Sequence, residues 1–258
     1  MDYLVGSGTN TGIKKTINED SYMIKLAKTP SLKIAMCLIC DGMGGLSKGE
    51  VASAYIIDEF SKWFHNKLPL IVNEDDLFNI IKNDWESMLI EINDKLNKYG
   101  NEHGCNLGST ITGTIIINHK YLIVNVGDSR TYKLSDNIYQ ITEDQSFIAH
   151  EIKMGQMTKE QGAADPRRNV LLQCIGAVPN LEVLMYEGEL QNNEALLLCS
   201  DGFRHVVTEE EIYEKLCPSN NNSNEIINNN IDELIQLNMT RMENDNITAI
   251  MIKSIEED

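Results

Sequence analysis

Between residues 109 and 141 the chain crowds four strand-like segments into very little sequence. Segments 109–118 (STITGTIIIN), 121–126 (YLIVNV), 130–134 and 137–141 are rich in β-branched and aromatic residues, with only two or three turn-type residues between them. A parallel pair needs a crossover of about a dozen residues or more, so these segments must form an antiparallel meander. Further strands are expected at 3–9, 21–26, 34–40, 181–187, 195–200 and 247–255. Two long helices precede the meander. In 46–67 the stripe Val51, Ala54, Tyr55, Phe60, Trp63 and Phe64 has helical spacing, with Asp58 as its polar exception, and Pro69 is expected to stop the helix. In 74–99 the face is Leu77, Ile80, Ile81, Trp85, Met88, Leu89, Ile92 and Leu96, with Gly100 and Gly104 marking the exit. Shorter helices are expected at 147–154, at 158–164 with Thr158 as N-cap, at 208–216 behind the capping-box sequence Thr208-Glu209-Glu210-Glu211, and at 234–242. The asparagine-rich stretch 218–230 reads as a loop. Helices in two groups separated by antiparallel strands give an α+β fold or a layered sandwich, two helices covering each sheet face. The missing β-α-β alternation disfavours a doubly wound sheet.

Residues 142–180 interrupt this pattern with a polar, Gly- and Pro-containing insertion. Such insertions carry function or mobility more often than core. The chain has 258 residues, is 42% hydrophobic and carries a net charge of −17. That balance argues against nucleic-acid and anionic-membrane partners, which need basic patches. A phosphorylated substrate stays compatible if a metal supplies local positive charge. MDYLVGSGTN has neither the basic start nor the apolar core of a signal peptide, and no apolar run approaches the ~20 residues of a membrane span. Cys37 and Cys40 lie three apart within a strand and so point to opposite faces, as buried small hydrophobes in a reducing compartment. A cytoplasmic location is expected.

Three apolar runs meet acids. Residues 34–40 end in Asp41-Gly42-Met43-Gly44-Gly45, residues 194–199 lead into Ser200-Asp201-Gly202, and Asp245-Asn246 opens the last strand. Asp20 starts a strand after a polar loop, 10–20, that holds Lys14, Lys15, Asn18 and Glu19, and Asp128 sits in the turn Gly127-Asp128-Ser129. Each acid alone reads as a turn or capping residue. Five at strand ends would repel one another if gathered, and gathering them makes sense around hard divalent cations, which prefer oxygen ligands. None of the five histidines belongs to these loops in sequence, which argues against zinc. A Walker loop, a G-x-G-x-x-G turn and a Cys-x5-Arg phosphate loop are all absent.

Six motifs in register carry a resemblance: Asn18-Glu19-Asp20-Ser21, Asp41-Gly42-Met43-Gly44-Gly45, Gly108-Ser109-Thr110, Val126-Gly127-Asp128-Ser129-Arg130, Ser200-Asp201-Gly202-Phe203 and Asp245-Asn246-Ile247-Thr248. Together they resemble the metal-dependent protein phosphatases (type 2C, PPM) in their bacterial form. The resemblance implies one domain over 1–258: two antiparallel sheets packed as a sandwich, flanked by helix pairs, with a flap at about 145–175. It implies a protein serine/threonine phosphatase acting by in-line attack of a metal-bridging hydroxide. The cofactors would be two Mn2+ or Mg2+ ions, with a third at a weaker site. By motif, Asp41 would bridge the two ions, the Gly42 carbonyl would bind one, and Asp201 and Asp245 would hold the other. Asp20, with Glu19, would orient water, and Asp128 with Asp201 would form the third site. Lys15 stands where the family usually has a phosphate-clamping Arg, with Lys14 or Arg130 as alternatives for that role. Met43, Gln145 and Asp165 stand where histidine is frequent in the family. The implied partners are phosphorylated proteins, a Ser/Thr kinase and its substrates, acted on by a monomer. The alternative is a catalytically weak phosphopeptide-binding or sensor module of the same fold.

Overall fold

The structure is a computed structural model and describes residues 2–43 and 48–256. Gly44, Gly45, Leu46 and Ser47 lie outside the described residues, and with them the last two glycines of the Asp41 motif and the expected first turn of the first helix.

Two antiparallel sheets face each other. One runs in the order β1 (Asp2–Asn10), β11 (Ile247–Ile255), β10 (Ala195–Cys199), β7 (Arg130–Leu134), β8 (Ile138–Gln140). The other runs β2 (Asp20–Lys28), β3 (Lys33–Met43), β5 (Ile111–Ile117), β6 (Lys120–Val126), β9 (Leu184–Glu189), with the short β4 (Gly108–Ser109) on the far end of β3. The meander therefore splits. Its first two strands belong to one sheet and its last two to the other, joined by the Gly127-Asp128-Ser129 turn.

Three apolar layers hold the stack. Helices α1 (Gly49–Asn66), α2 (Leu68–Ile71) and α3 (Leu77–His103) cover one sheet through Ile56, Phe60, Trp63, Ile81, Trp85 and Leu89. Between the sheets lie Ala35, Cys37, Ile39, Ile123, Leu196, Leu198, Ile250 and Ile252. Helices α6 (Glu209–Leu216) and α7 (Asn224–Thr240) cover the other sheet with Ile212, Leu216, Ile227, Ile231 and Leu234. Period two along β3 explains the division: Met36, Leu38 and Cys40 face the helices, while Ala35, Cys37 and Ile39 face the second sheet. Cys37 and Cys40 do point to opposite faces, and both are buried free thiols.

Four local expectations change. Helix α1 does end at Asn66, ahead of Pro69, but Pro69 also opens a further turn: it sits in the first turn of α2, where its missing N–H is not needed. Gly100 lies inside α3, and Gly104, in the left-handed region at φ 61°, forms the helix end. The strand carrying Asp41 runs on through Met43 instead of turning at Asp41, and Gly42 and Met43 pair with Ser109 and Gly108. Residues 224–230 are helical, not loop. Ser223 caps that helix by accepting from the Ile226 N–H, and asparagines on its surface serve β1. The Val5 N–H donates to Asn224 Oδ1 at 2.9 Å and the Ser7 N–H to Asn228 Oδ1 at 2.8 Å. Strand β1 is a sheet edge, and alternate N–H groups along it would otherwise be left over.

Between β8 and β9 the insertion holds α4 (Phe147–Lys153) and α5 (Lys159–Ala164). Thr158 and Gln161 form a full capping box on α5. Gln145 ties the insertion down: its Oε1 accepts from the Gly127 N–H at 2.9 Å and its Nε2 donates to the Glu182 carbonyl at 3.0 Å. Among the described residues no helix is long and apolar enough to cross a membrane.

Candidate active site

The acids gather at one end of the sandwich because the strands that carry them end there. Asp20 and Asp41 are direct cross-strand partners on β2 and β3. The opposite sheet meets them at the end of β10 and the start of β11. Asp20 Oδ2 accepts from Thr248 Oγ1 at 2.6 Å and from Ser200 Oγ at 2.9 Å, so this buried carboxylate bolts the two sheets together. Its Oδ1 is buried without a hydrogen-bond partner, as is Asp201 Oδ1. Desolvation pushes the Asp20 carboxyl up to about 7; the two hydroxyl donors oppose the rise, and the charges of Asp201 and Asp245 add to it.

Asp41 is fixed through its backbone. Its N–H donates to Thr110 Oγ1 at 3.1 Å, and its carbonyl accepts from the Thr110 N–H at 2.9 Å and Ser109 Oγ at 3.0 Å. That is the task of the Gly108-Ser109-Thr110 motif, and Ser129 braces it at 2.7 Å from Thr110 Oγ1. Burial raises the Asp41 carboxyl well above the usual range, and Asp20, Asp201, Asp128 and Asp245 raise it further. Gly42 lies against the first residue of α1: a Cβ on it would stand 2.3 Å from the Gly49 carbonyl oxygen, so only glycine permits the contact. Glu19 stands beside this junction, its carbonyl accepting from the Gly42 N–H at 3.2 Å and Ser53 Oγ at 2.6 Å.

Asn246 positions the loop before Glu19. Its Oδ1 accepts from the Glu19 N–H at 2.8 Å and its Nδ2 donates to the Thr11 carbonyl at 2.8 Å. The loop delivers Lys15, whose Nζ lies 2.9 Å from Asp245 Oδ1 and 3.4 Å from Glu19 Oε2. Lys15 thus joins the acidic centre as a charge partner. Arg130 is committed elsewhere: Nε and Nη2 grip Asp144 at 2.7 and 2.8 Å and Nη1 donates to the Tyr132 hydroxyl at 2.8 Å. That leaves Lys15 and Lys14 facing the cleft as lysines available to an anion.

Asp128 and Asp201 each meet a basic side chain that the sequence argument did not assign to the site. Arg204 Nη2 donates to the Asp128 carbonyl at 2.7 Å and lies 3.7 Å from its Oδ2. His205 places Nε2 3.3 Å from Asp201 Oδ2 and Nδ1 3.5 Å from Glu243 Oε2. The expectation that no histidine belongs to the acidic end is therefore corrected. Burial disfavours the His205 imidazolium, but the Glu243 hydrogen bond and the Asp201 charge outweigh it and raise its pKa. Both ring nitrogens of His205 face carboxylates. The available signal was adjacency, since Arg204 and His205 directly follow Ser200-Asp201-Gly202-Phe203.

The donor set suits a hard cation. It is made of carboxylates plus a backbone carbonyl, two of its buried oxygens lack any protein partner, and its members raise one another's pKa. Among the described residues no three His, Cys, Asp or Glu side chains close on a single point as a finished metal cage. The fit therefore rests on donor chemistry, with room for water among the ligands. Of the five acids, Asp128 and Asp245 line a cleft of about 1820 Å³ that the insertion also lines, through Ile148, Ile152, Leu172 and Arg168.

A family model described as protein phosphatase 2C matches residues 7–236. The serine/threonine phosphatase stp of Listeria innocua is 30% identical over 86% of this chain and 85% of its own length. The crystal structure of a bacterial serine phosphatase superposes with a TM-score of 0.84 at 31% identity, covering 98% of both chains. The catalytic domain of the phosphatase PstP, solved in complex with two manganese ions, shares the fold at a TM-score of 0.77 and 23% identity over 98% of this chain and 99% of its own.

Proposed function

Since this chain belongs to the protein phosphatase 2C family and is a serine/threonine protein phosphatase, we propose that its acidic end works with a pair of divalent cations, Mn2+ or Mg2+. The observation that carries the reading is the gathering of Asp20, Asp41, Asp201 and Asp245 at one sandwich end, with buried carboxylate oxygens that no protein donor satisfies. Divalent-metal use accompanies the family. Asp41 and the Gly42 carbonyl would hold one ion, with Asp41 shared, and Asp201 and Asp245 the other. When bound, such ions bring the pKa of water toward neutrality and neutralise the oxygens of the transferring phosphoryl group.

The remaining steps belong to the chain itself. Asp20, with one oxygen fixed by Thr248 and Ser200, presents the other to orient the attacking water and take its proton. Glu19 supports this position. Lys15 swings from Asp245 to the substrate phosphate, a move of one flexible ammonium with no fork geometry to satisfy. The insertion, clipped by Gln145, shapes access to the cleft. Residues 1–258 act as one phosphatase domain, a monomer placed in the cytoplasm, and the substrates are phosphorylated proteins, among them a Ser/Thr kinase and its targets.

The test is release of phosphate from a phosphothreonine peptide with Mn2+. Activity is expected to vanish with EDTA and in Asp201→Asn; activity that survives both overturns the metal reading. A binding module without turnover is not favoured, because every metal carboxylate implied by the motifs is present.

A further inference from the structure

The site attributed to a third ion by resemblance is filled in this chain by a side chain. Arg204 follows the turn that carries Asp201 and is pinned to it, its N–H donating to the Asp201 carbonyl at 3.0 Å. From there the guanidinium reaches across to Asp128, donating to its carbonyl oxygen at 2.7 Å and standing 3.7 Å from its carboxylate. Asp144, held from behind by Arg130, lies 3.6 Å from the same nitrogen. The Arg204 side chain is only 12% exposed. The second carboxylate of that site, Asp201, has His205 at 3.3 Å. Both acids thus face a side chain from consecutive residues of the same turn.

We propose that Arg204 serves as a built-in cation at Asp128 and limits this chain to two divalent ions, excluding a third. The inference rests on the two-ion reading above. A guanidinium stays protonated at any working pH and offers no acceptor, so it cannot share a metal's coordination sphere. A divalent ion at Asp128 would need several oxygen ligands, including waters, where the guanidinium already takes the carbonyl oxygen. Arg204 and the ion are therefore alternatives for one place.

The experiment counts Mn2+ bound to the full chain by equilibrium dialysis with elemental analysis, at a free Mn2+ concentration that saturates the centre. The expected result is two ions in the wild type, two in Asp128→Asn, three in Arg204→Gln, and two again when Asp128→Asn is added to Arg204→Gln. Three ions in the wild type, falling to two in Asp128→Asn, would overturn the inference and leave the ion pair standing. An Arg204→Gln protein that folds and still binds two also overturns it. Should Arg204→Gln fail to fold, the wild-type and Asp128→Asn counts decide by themselves. Fewer than two ions in the wild type would strike the pair itself, a separate failure.

Discussion

Lys15 is the residue at which this chain departs most from a tight phosphate clamp. Its ammonium lies between Asp245 and Glu19, and under the proposed function it moves from them to the substrate phosphate. Lys15→Ala is expected to raise KM for a phosphothreonine peptide about tenfold, equivalent to ~1.4 kcal/mol, with a smaller effect on kcat; a fall in kcat at unchanged KM would contradict a phosphate-binding role. Lys15→Arg is expected to lower KM below wild type, because the fork can hold two phosphate oxygens at once. At this scale the acids were legible in the sequence because each one terminates or begins an apolar run, a local signal. Their partners were not. Asp20 is held by Thr248 and Ser200 from the other sheet, and His205 meets Glu243 only after helices α6 and α7 have returned the chain. No pattern within a short window encodes such contacts.

Elements followed the same division. The N-cap at Thr158 and the capping box at Thr208 formed as expected, since a cap is settled within four residues. The asparagine-rich stretch misled because two of its asparagines, Asn224 and Asn228, serve a neighbouring strand edge. Helix α7 lies so close to β1 that a Cβ at Gly6 would stand 2.4 Å from Ile227 Cγ2. Gly6→Ala is expected to cost about 1–3 kcal/mol by overpacking, measured by urea unfolding, and Ile227→Ala in the same chain should recover part of it. At the start of α6, Arg241 and then the Thr208 N–H hold the Glu211 carboxyl down to about 2. A carboxyl depressed in the folded state stabilises fully above its unfolded value of 4.5 and loses that contribution as pH falls toward about 2. The urea-midpoint difference between wild type and Glu211→Gln should therefore be largest at neutral pH and shrink steadily below pH 4.5; a difference that stays constant with pH would assign the effect to packing.

At the scale of the whole molecule, the two helical layers pack into separate cores on opposite sheets, and the sheets between them carry the coupling. Both tryptophans of the chain, Trp63 and Trp85, lie in the α1–α3 layer, with Phe60 edge-on to Trp85 at 5.3 Å and Trp63 edge-on at 5.5 Å. Tryptophan fluorescence therefore reports one outer layer alone, while far-UV circular dichroism reports both. The shared inter-sheet core, with Leu196 and Leu198 from one sheet against Ile39 and Ile123 from the other, should make the two signals change together in urea, as two-state unfolding requires. Leu198 belongs to the sheet opposite the tryptophans, so Leu198→Ala tests the coupling directly. Its loss from a fully buried site should cost about 2–5 kcal/mol and move the fluorescence midpoint as far as the circular dichroism midpoint. If the substitution shifts circular dichroism and leaves fluorescence in place, the sandwich unfolds as two halves. The acidic centre, which draws Asp20 and Asp41 from one sheet and Asp201 and Asp245 from the strand ends of the other, would then come apart at the first transition.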